Sequence, residues 1–143
     1  MKKILMLFIA VSLAYSCKST KASNSGVAAN ETAIEKKLQQ TWILDNLNGK
    51  KVTEKDFSKL PEIQMASSSF SGSTGCNAVK GTLVSSGAGK LQFPTVTSET
   101  KKCDAKKEGE FLQLLRTTSG YSVENNILYL SNQFGLTMSF KKK

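Results

Sequence analysis

Three cysteines, Cys17, Cys76 and Cys103, are the most reactive side chains of this sequence, which contains no histidine. Without histidine, the chain lacks the usual general base for a serine or cysteine nucleophile and the commonest metal ligand of proteins. Two cysteines alone also supply too few ligands for a zinc site. The sequence therefore predicts neither an enzyme of the ordinary hydrolytic kind nor a bound metal or other cofactor.

Cys17 follows a segment with the features of a signal peptide. Lys2 and Lys3 precede an apolar run from Ile4 to Leu13, which is too short for a spanning helix of about 20 apolar residues. The segment from Leu13 to Cys17 resembles the bacterial lipobox, in which the cysteine is diacylated, then becomes the first residue after cleavage and is N-acylated with a fatty acid such as palmitate. Residues 1–16 are therefore predicted to be a signal peptide and Cys17 a lipid anchor. An ordinary secretory signal with a chance cysteine is the alternative.

The residues after Cys17 predict a tether and the place of the protein in the cell. Residues 18–30 are mostly Ser, Lys, Ala, Asn and Gly, as in a flexible linker. Residues 17–40 are therefore predicted to be the lipidated tether and residues 41–143 a single domain. Lys18 follows the anchor where enteric inner-membrane lipoproteins have Asp, and the tether has no acidic run. The first feature favours the outer membrane, and the second favours a domain that faces the periplasm.

The net charge of the chain does not indicate which class of partner it binds. Lys and Arg number 20 against 11 Asp and Glu, a formal charge of +9. Nucleic acid is not expected, because the chain is predicted to be exported and Arg116 is its one arginine for bidentate base contacts. Lys141, Lys142 and Lys143 would attract anionic lipid at about 1 kcal/mol per charge, although solubility alone explains them. The oligomeric state is not predicted.

Cys76 and Cys103 form an even pair in a chain that is predicted to enter an oxidising compartment. Such a pair favours a disulfide. Two reduced cysteines packed as small apolar side chains are the first alternative. A reactive thiol is the second, since Lys101 and Lys102 beside Cys103 would lower the pKa of its thiol.

The elements that position these residues are mostly short strands. Asn48 and Gly49 strongly favour a type I′ turn, so a hairpin is predicted over residues 41–52. Other strands are predicted by alternating apolar residues at 62–66, around 70, and at 81–84, 90–93, 121–123, 127–130 and 136–140. Pro94 is predicted to close the strand at 90–93.

One helix interrupts the strands at about residues 105–118. Phe111, Leu112 and Leu115 recur with Glu108 at helical spacing, and Asp104 is a suitable N-cap. The predicted class is α+β, with a strongly curled antiparallel sheet or incomplete barrel and this helix against it. Seven residues are candidates for the interior, and if they fill it no cavity remains for a carried ligand: Phe70, Leu83, Phe93, Phe111, Leu115, Tyr129 and Phe140.

A motif around Cys76 resembles the META domain of the HslJ-like envelope lipoproteins. The pattern is Phe70-x-Gly72-x-x-Gly75-Cys76-Asn77-x-x-x-Gly81, preceded by Trp42-x-Leu44-x-x-Leu47-x-Gly49. Cys103, the helix pattern and Leu136-x-Met138-x-Phe140 follow. The most specific residues are Gly75, Cys76, Asn77 and Gly81. One departure is that Lys101 and Lys102 stand where many members have Met and Ala.

The resemblance implies a small β-rich envelope domain that is linked to stress or antibiotic tolerance and has no established catalysis. Asn77 is interpreted as a turn residue, with a ligand contact as the alternative. Glu108 and Glu110 are interpreted as helix-dipole residues rather than an acid–base pair. The predicted function is a non-enzymatic binding or structural module whose partner is an envelope protein or lipid. The alternative is a carrier of lipid or hydrophobic peptide, which requires a pocket of roughly 300 Å³ or more between helix and sheet.

Overall fold

The computed structural model describes residues 34–103 and 105–143. Cys17, the signal peptide and most of the predicted tether lie outside the described residues. The strands of the described chain are β1 Thr41–Leu47, β2 Lys50–Lys51, β3 Glu62–Met65, β4 Ser69–Ser73, β5 Ala78–Val84, β6 Gln92–Ser98, β7 Gly120–Glu124, β8 Ile127–Asn132 and β9 Gly135–Lys142. A short 3-10 helix covers Lys36–Leu38, and the α-helix α1 covers Glu108–Thr117.

The strands form one antiparallel sheet in the order β6-β5-β4-β3-β1-β9-β8-β7, and β2 pairs with β1. The sheet is not closed, because β6 and β7 lie at its two ends. Near this opening, the backbone N–H of Tyr121 in β7 donates to the Gly89 carbonyl, 2.9 Å away. The predicted β-rich antiparallel class with one α-helix is thus confirmed for the described residues.

Two tight turns form where asparagine residues adopt the left-handed backbone conformation. Asn48 and Gly49 have φ angles of 48° and 75°, the left-handed pair that a type I′ turn requires between β1 and β2. Asn125 and Asn126, with φ angles of 50° and 62°, form the same kind of turn between β7 and β8. The predicted hairpin at Asn48 and Gly49 is confirmed.

The helix begins later than its spacing predicts. It starts at Glu108 rather than 105, and the residues just before it form a turn in which Glu108 N–H donates to the Ala105 carbonyl, 3.2 Å away. Lys106 and Lys107 would be unfavourable at the positive end of the helix dipole, whereas Glu108 and Glu110 are favourable there. The predicted N-cap, Asp104, lies outside the described residues.

Pro94 does not end its strand, so this prediction is wrong. It lies inside β6, which continues to Ser98. Proline lacks the N–H that a central strand needs for its ladder, and β6 is the last strand of the sheet. An edge strand therefore accommodates Pro94 without the loss of a pairing hydrogen bond.

The core confirms six of the seven predicted interior residues, which are at most 3% exposed: Phe70, Leu83, Phe93, Phe111, Leu115 and Phe140. The prediction is wrong for Tyr129, which is half-buried, and β7 instead buries Tyr121 at 7% exposure. Ile34 and Leu38 are also buried in this core. The Trp42 indole donates to the Leu38 carbonyl over 3.0 Å, so the packed chain includes residues before Thr41.

A bulge in β9 changes the face on which Leu136 lies. Its alternation with Met138 and Phe140 favours one shared face, but the pairing shifts after Leu130, which faces Met138, so that Ser131 faces Leu136. The extra residue is Thr137, whose hydroxyl donates to the Leu130 carbonyl over 3.1 Å. Met138 is 1% exposed, whereas Leu136 is 57% exposed.

Candidate functional site

The turn between β4 and β5 carries the Gly75-Cys76-Asn77 motif and is closed by its own polar groups. Thr74 N–H donates to the Asn77 carbonyl over 2.8 Å, and Asn77 N–H donates to the Thr74 hydroxyl over 3.0 Å. Both residues are buried. These bonds place Asn77 in the turn between β4 and β5.

The Asn77 amide also joins two distant parts of the chain. Its oxygen accepts a hydrogen bond from Lys101 N–H, 2.8 Å away, and its nitrogen lies 2.9 and 3.1 Å from the carboxylate oxygens of Glu108. The Thr74 hydroxyl donates to the same carboxylate. Asn77 therefore ties the β4–β5 turn to the loop before α1 and to the first residue of that helix, and its amide is fully used.

Cys76 and Cys103 lie beside this network at disulfide distance. They form a disulfide in the structure, with their Cα atoms 6.2 Å apart, inside the usual range. The bond spans 27 positions of the chain and holds the loop before α1 against the motif turn. Cys103 is exposed, and the Asn77 amide nitrogen lies 3.9 Å from its sulfur.

Gly75 and Gly81, like Gly72, stand where backbone approaches backbone. Gly75 has a φ of 92°, and a Cβ there would collide with the Lys59 carbonyl oxygen. A Cβ on Gly81, in β5, would collide with the Thr95 carbonyl oxygen of β6. Both positions therefore exclude larger residues for reasons of packing.

We call the set Thr74, Gly75, Cys76, Asn77, Lys101, Cys103 and Glu108 the closed corner. The structure brings together four predicted site residues here, namely Gly75, Cys76, Asn77 and Cys103, while Gly81 lies along β5. Glu108 and Glu110 do not face each other, because Glu110 accepts a hydrogen bond from the Asn48 amide over 2.6 Å. The closed corner thus contains paired polar groups rather than groups available to a ligand.

An open groove lies along the C-terminal half of α1, between that helix and the turn of the β8–β9 hairpin. Its volume is about 520 Å³, and none of its eleven lining residues is charged. We call it the hairpin groove. Its side chains include Asn48, Gln113, Asn132, Gln133, Phe134 and Leu136.

Phe134 and Leu136 are the large apolar side chains that the described residues expose, at 87% and 57%. The Asn132 carboxamide oxygen accepts a hydrogen bond from Phe134 N–H over 2.9 Å, which fixes the tip of the hairpin. The side-chain amides of Gln113 and Gln133 have no hydrogen-bond partner in the described chain. The hairpin groove therefore combines an exposed ring with amides that are free to bind.

A second groove, of about 780 Å³, lies on the other side of Leu136 and includes Lys90, Tyr121 and Glu124. The Tyr121 hydroxyl donates to Glu35 over 2.7 Å. Burial, followed by this bond to Glu35, raises the pKa of Tyr121 to about 12. The same bond, followed by Lys37, lowers the pKa of Glu35. This contact ties the start of the packed chain to β7.

Residues 34–103 and 105–143 contain neither a metal-ion site nor a membrane-spanning helix. No group of three or more Cys, Asp and Glu side chains in this part of the chain is arranged to hold a metal ion. Within the same residues, α1 is too short and polar to cross a membrane, and no other helix is long enough.

Residues 35–143 match the family model of the META domain. That match covers more than half of the chain, from the 3-10 helix to the last residue. The chain belongs to the META domain family. The resemblance drawn from the glycine and cysteine motif is thus confirmed, and the META domain is not a known enzyme family.

Two solved structures, both determined by NMR, resemble this META domain in fold. One has a TM-score of 0.57 and 22% identity, over 73% of this chain and 90% of the other. The second, from Burkholderia xenovorans, has a TM-score of 0.58 and 22% identity, over 73% of this chain and 82% of the other. Identity at this level supports the fold alone. No curated protein matches the chain.

Sequence reasoning missed the hairpin groove of this META domain. Phe134 stands alone between polar residues and glycine, which is the one local sign that its ring lies outside the core. Leu136 gave no such sign, because its alternation with Met138 indicates a core position. Gln113 lies on α1 outside the apolar stripe and reads as an ordinary surface residue.

Proposed function

We propose that this META-domain protein is a lipid-anchored, non-enzymatic binding module of the bacterial envelope, and that the hairpin groove is its binding surface. The observation that carries the proposal is the exposed Phe134 beside the amides of Gln113 and Gln133, which have no partner within residues 34–103 and 105–143. An aromatic ring this exposed loses the free energy of burial unless something covers it. The motif residues, in contrast, already bind one another.

The anchoring part of the proposal rests on the sequence before residue 34. Cys17 would receive the acyl chains, and residues 18–33 would connect them to the domain. The features around Lys18 support the outer membrane with the domain in the periplasm. The family resemblance supports a physiological role in tolerance of envelope stress or antibiotics, with an envelope component as partner.

Anchoring is tested by growth of the native cells with an alkyne analogue of palmitate. The wild-type chain is expected to carry the label and to fractionate with membranes. The Cys17→Ser chain should lose both properties, while Cys76→Ser and Cys103→Ser should keep them. Equal labelling of wild type and Cys17→Ser would contradict lipidation at this residue.

Binding through the hairpin groove is tested by a photo-crosslinking amino acid placed at position 134 in cells. The matched control places the same residue at 64, on the exposed face of β3. A light-dependent adduct is expected at 134 and not at 64. The same adducts at both positions, or none at either, would contradict a binding role for the groove.

A carrier of lipid or hydrophobic peptide is the second candidate. The volume of the hairpin groove, about 520 Å³, exceeds the size that such a role requires. Leu114, Phe134 and Leu136 supply apolar surface there, whereas core side chains occupy the inside of the sheet. Native mass spectrometry of the purified protein separates the candidates, since a carrier should retain a lipid or peptide of fixed mass.

A further inference from the structure

We infer that the hairpin groove binds a neutral oligosaccharide, whose sugar rings stack on Phe134 and whose hydroxyl groups bond the surrounding amides. This inference rests on the proposed binding role and names the chemical class of the ligand. Three properties of the groove lead to it: the absence of charge, the supply of hydrogen-bonding side chains and the exposed ring.

The absence of charged lining residues is the first property. The chain has 31 charged residues, 20 basic and 11 acidic, and none of those within residues 34–103 and 105–143 lines the hairpin groove. An anionic ligand, such as a phosphate head group or an acidic glycan, would gain little here, because strong recognition of anions uses Arg or Lys. A neutral ligand loses no ionic hydration on entering the groove. The lining therefore favours an uncharged ligand.

The hydrogen-bonding groups fit hydroxyl-rich ligands. Seven of the eleven lining residues carry an amide or a hydroxyl group. A sugar hydroxyl donates one hydrogen bond and accepts others, and a carboxamide offers both kinds of partner side by side. The amides of Gln113 and Gln133 lie on opposite walls, helix and hairpin, and have no partner among the described residues. A purely apolar ligand would leave these groups unpaired as it excluded water.

Phe134 supplies a platform for a sugar ring. One side of a pyranose presents several C–H bonds, which are apolar and carry slight positive charge. The electron-rich face of an aromatic ring attracts such a surface. Phe134 is 87% exposed, and the bond from its N–H to the Asn132 side chain holds its backbone in place. The volume of the groove, about 520 Å³, suits an oligosaccharide of a few rings.

The experiment is an NMR titration of the mature chain, made soluble by Cys17→Ser, with three neutral tetrasaccharides. These are the β-1,4 tetramer of N-acetylglucosamine, cellotetraose and maltotetraose, and tetragalacturonate is the anionic control. At least one neutral probe is expected to bind with a Kd of about 1 mM or tighter. The shifted amide signals should lie at residues 113–117 and 132–137.

Variants then test the contacts. Phe134→Ala should weaken binding at least about tenfold, whereas Phe134→Trp should keep or strengthen it, because indole offers a larger face. Gln133→Ala should weaken binding by a smaller factor. Gln64→Ala removes an exposed amide from β3 and should leave the affinity unchanged. The spectrum of each variant shows whether it is folded.

The inference is overturned by lack of saturation with every neutral probe up to about 10 mM, by stronger binding of tetragalacturonate, or by shifts elsewhere on the domain. It is also overturned if Phe134→Ala binds as well as wild type. Crosslinking at position 134 in cells distinguishes a wrong ligand class from a groove that binds nothing. A specific adduct without sugar binding would support the proposed binding module and exclude a neutral oligosaccharide as its ligand.

Discussion

The closed corner and the hairpin groove lie at opposite ends of α1. They differ in how far their polar side chains are hydrogen-bonded within the described residues. At the first residue of the helix, Glu108 accepts hydrogen bonds from Asn77 and Thr74, and the disulfide lies alongside. Along the second half of the helix, the amide of Gln113 lines an open groove and has no hydrogen-bond partner among the described residues. One end of α1 is thus fastened and the other is available.

This difference separates the residues that identify the family from the residues that are suited to binding. In the Gly75-Cys76-Asn77 motif, Gly75 lies where the backbone of Lys59 leaves no room for a Cβ, and the Asn77 amide bonds Lys101 and Glu108. Phe134 and Gln133 lie exposed at the turn of the β8–β9 hairpin, outside that motif. A motif that reveals the fold is therefore a poor guide to the ligand of this domain.

The strongest test of the closed corner is removal of the disulfide by Cys76→Ser with Cys103→Ser. The bond closes a loop of 27 positions, so its loss should lower the free energy of unfolding by about 3 to 4 kcal/mol. Denaturant titration under oxidising conditions measures this change, and Cys17→Ser is the matched control. A loss of less than about 1 kcal/mol would show that the hydrogen bonds alone hold the corner.

Asn77→Ala should have the next largest effect. The buried amide bonds Lys101 N–H and the Glu108 carboxylate, so truncation leaves these groups without their partner and should cost about 2 to 3 kcal/mol. Gln64→Ala, on the exposed face of β3, should change stability by less than about 0.5 kcal/mol. Chemical denaturation of both variants checks the prediction. If both variants lost the same stability, the hydrogen bonds of Asn77 would contribute no more to folding than an exposed side chain does.

Tyr121→Phe tests whether a hydrogen bond in the second groove stabilises the fold as much as the hydrogen bonds of the closed corner do. It removes the bond to the half-exposed Glu35 and should cost about 1 kcal/mol at neutral pH. Folding lowers the pKa of Glu35 from 4.5, so its contribution is present above that value and is lost as the pH falls through the folded pKa. Folding raises the pKa of Tyr121 from 10.0 to about 12, so this contribution is lost as the pH rises between those values.

The stability difference between wild type and Tyr121→Phe should therefore be largest in the neutral range and smaller at both extremes. Unfolding free energies at about pH 3, 7 and 11 measure it. A difference that stays constant over this range would rule out the Glu35 hydrogen bond as its source.

The smallest effect on stability is expected at the groove itself. Phe134→Ala removes a side chain that is 87% exposed, so the free energy of unfolding should change by less than about 0.5 kcal/mol. Thermal and chemical denaturation check this value, and Phe111→Ala is the contrasting core variant, with an expected loss of about 3 to 5 kcal/mol. If Phe134→Ala lowered the free energy of unfolding by several kcal/mol, as a core variant does, Phe134 would have a structural role rather than a binding role.

Much of the fold could be predicted because the responsible forces act between near neighbours. Asn48 and Gly49 fixed the first hairpin, and the spacing of Phe111 and Leu115 fixed the buried face of α1. The start of α1 was misplaced because the spacing of apolar residues does not register the charges of Lys106 and Lys107. Pro94 was misjudged because an edge strand is defined only by the order of strands in the sheet.

The sequence by itself determined the family, the helix with its strands, and the pairing partners that cysteine chemistry allows. Local turn preferences and apolar periodicity are encoded within a few residues of each other. Only the tertiary structure decided that Asn77 bonds Lys101 and Glu108, because these contacts join residues 24 and 31 positions apart. It also decided that Leu136 faces outward, because the bulge at Thr137 depends on register with β8. Contacts between distant segments leave no local pattern, and the hairpin groove is made of such contacts.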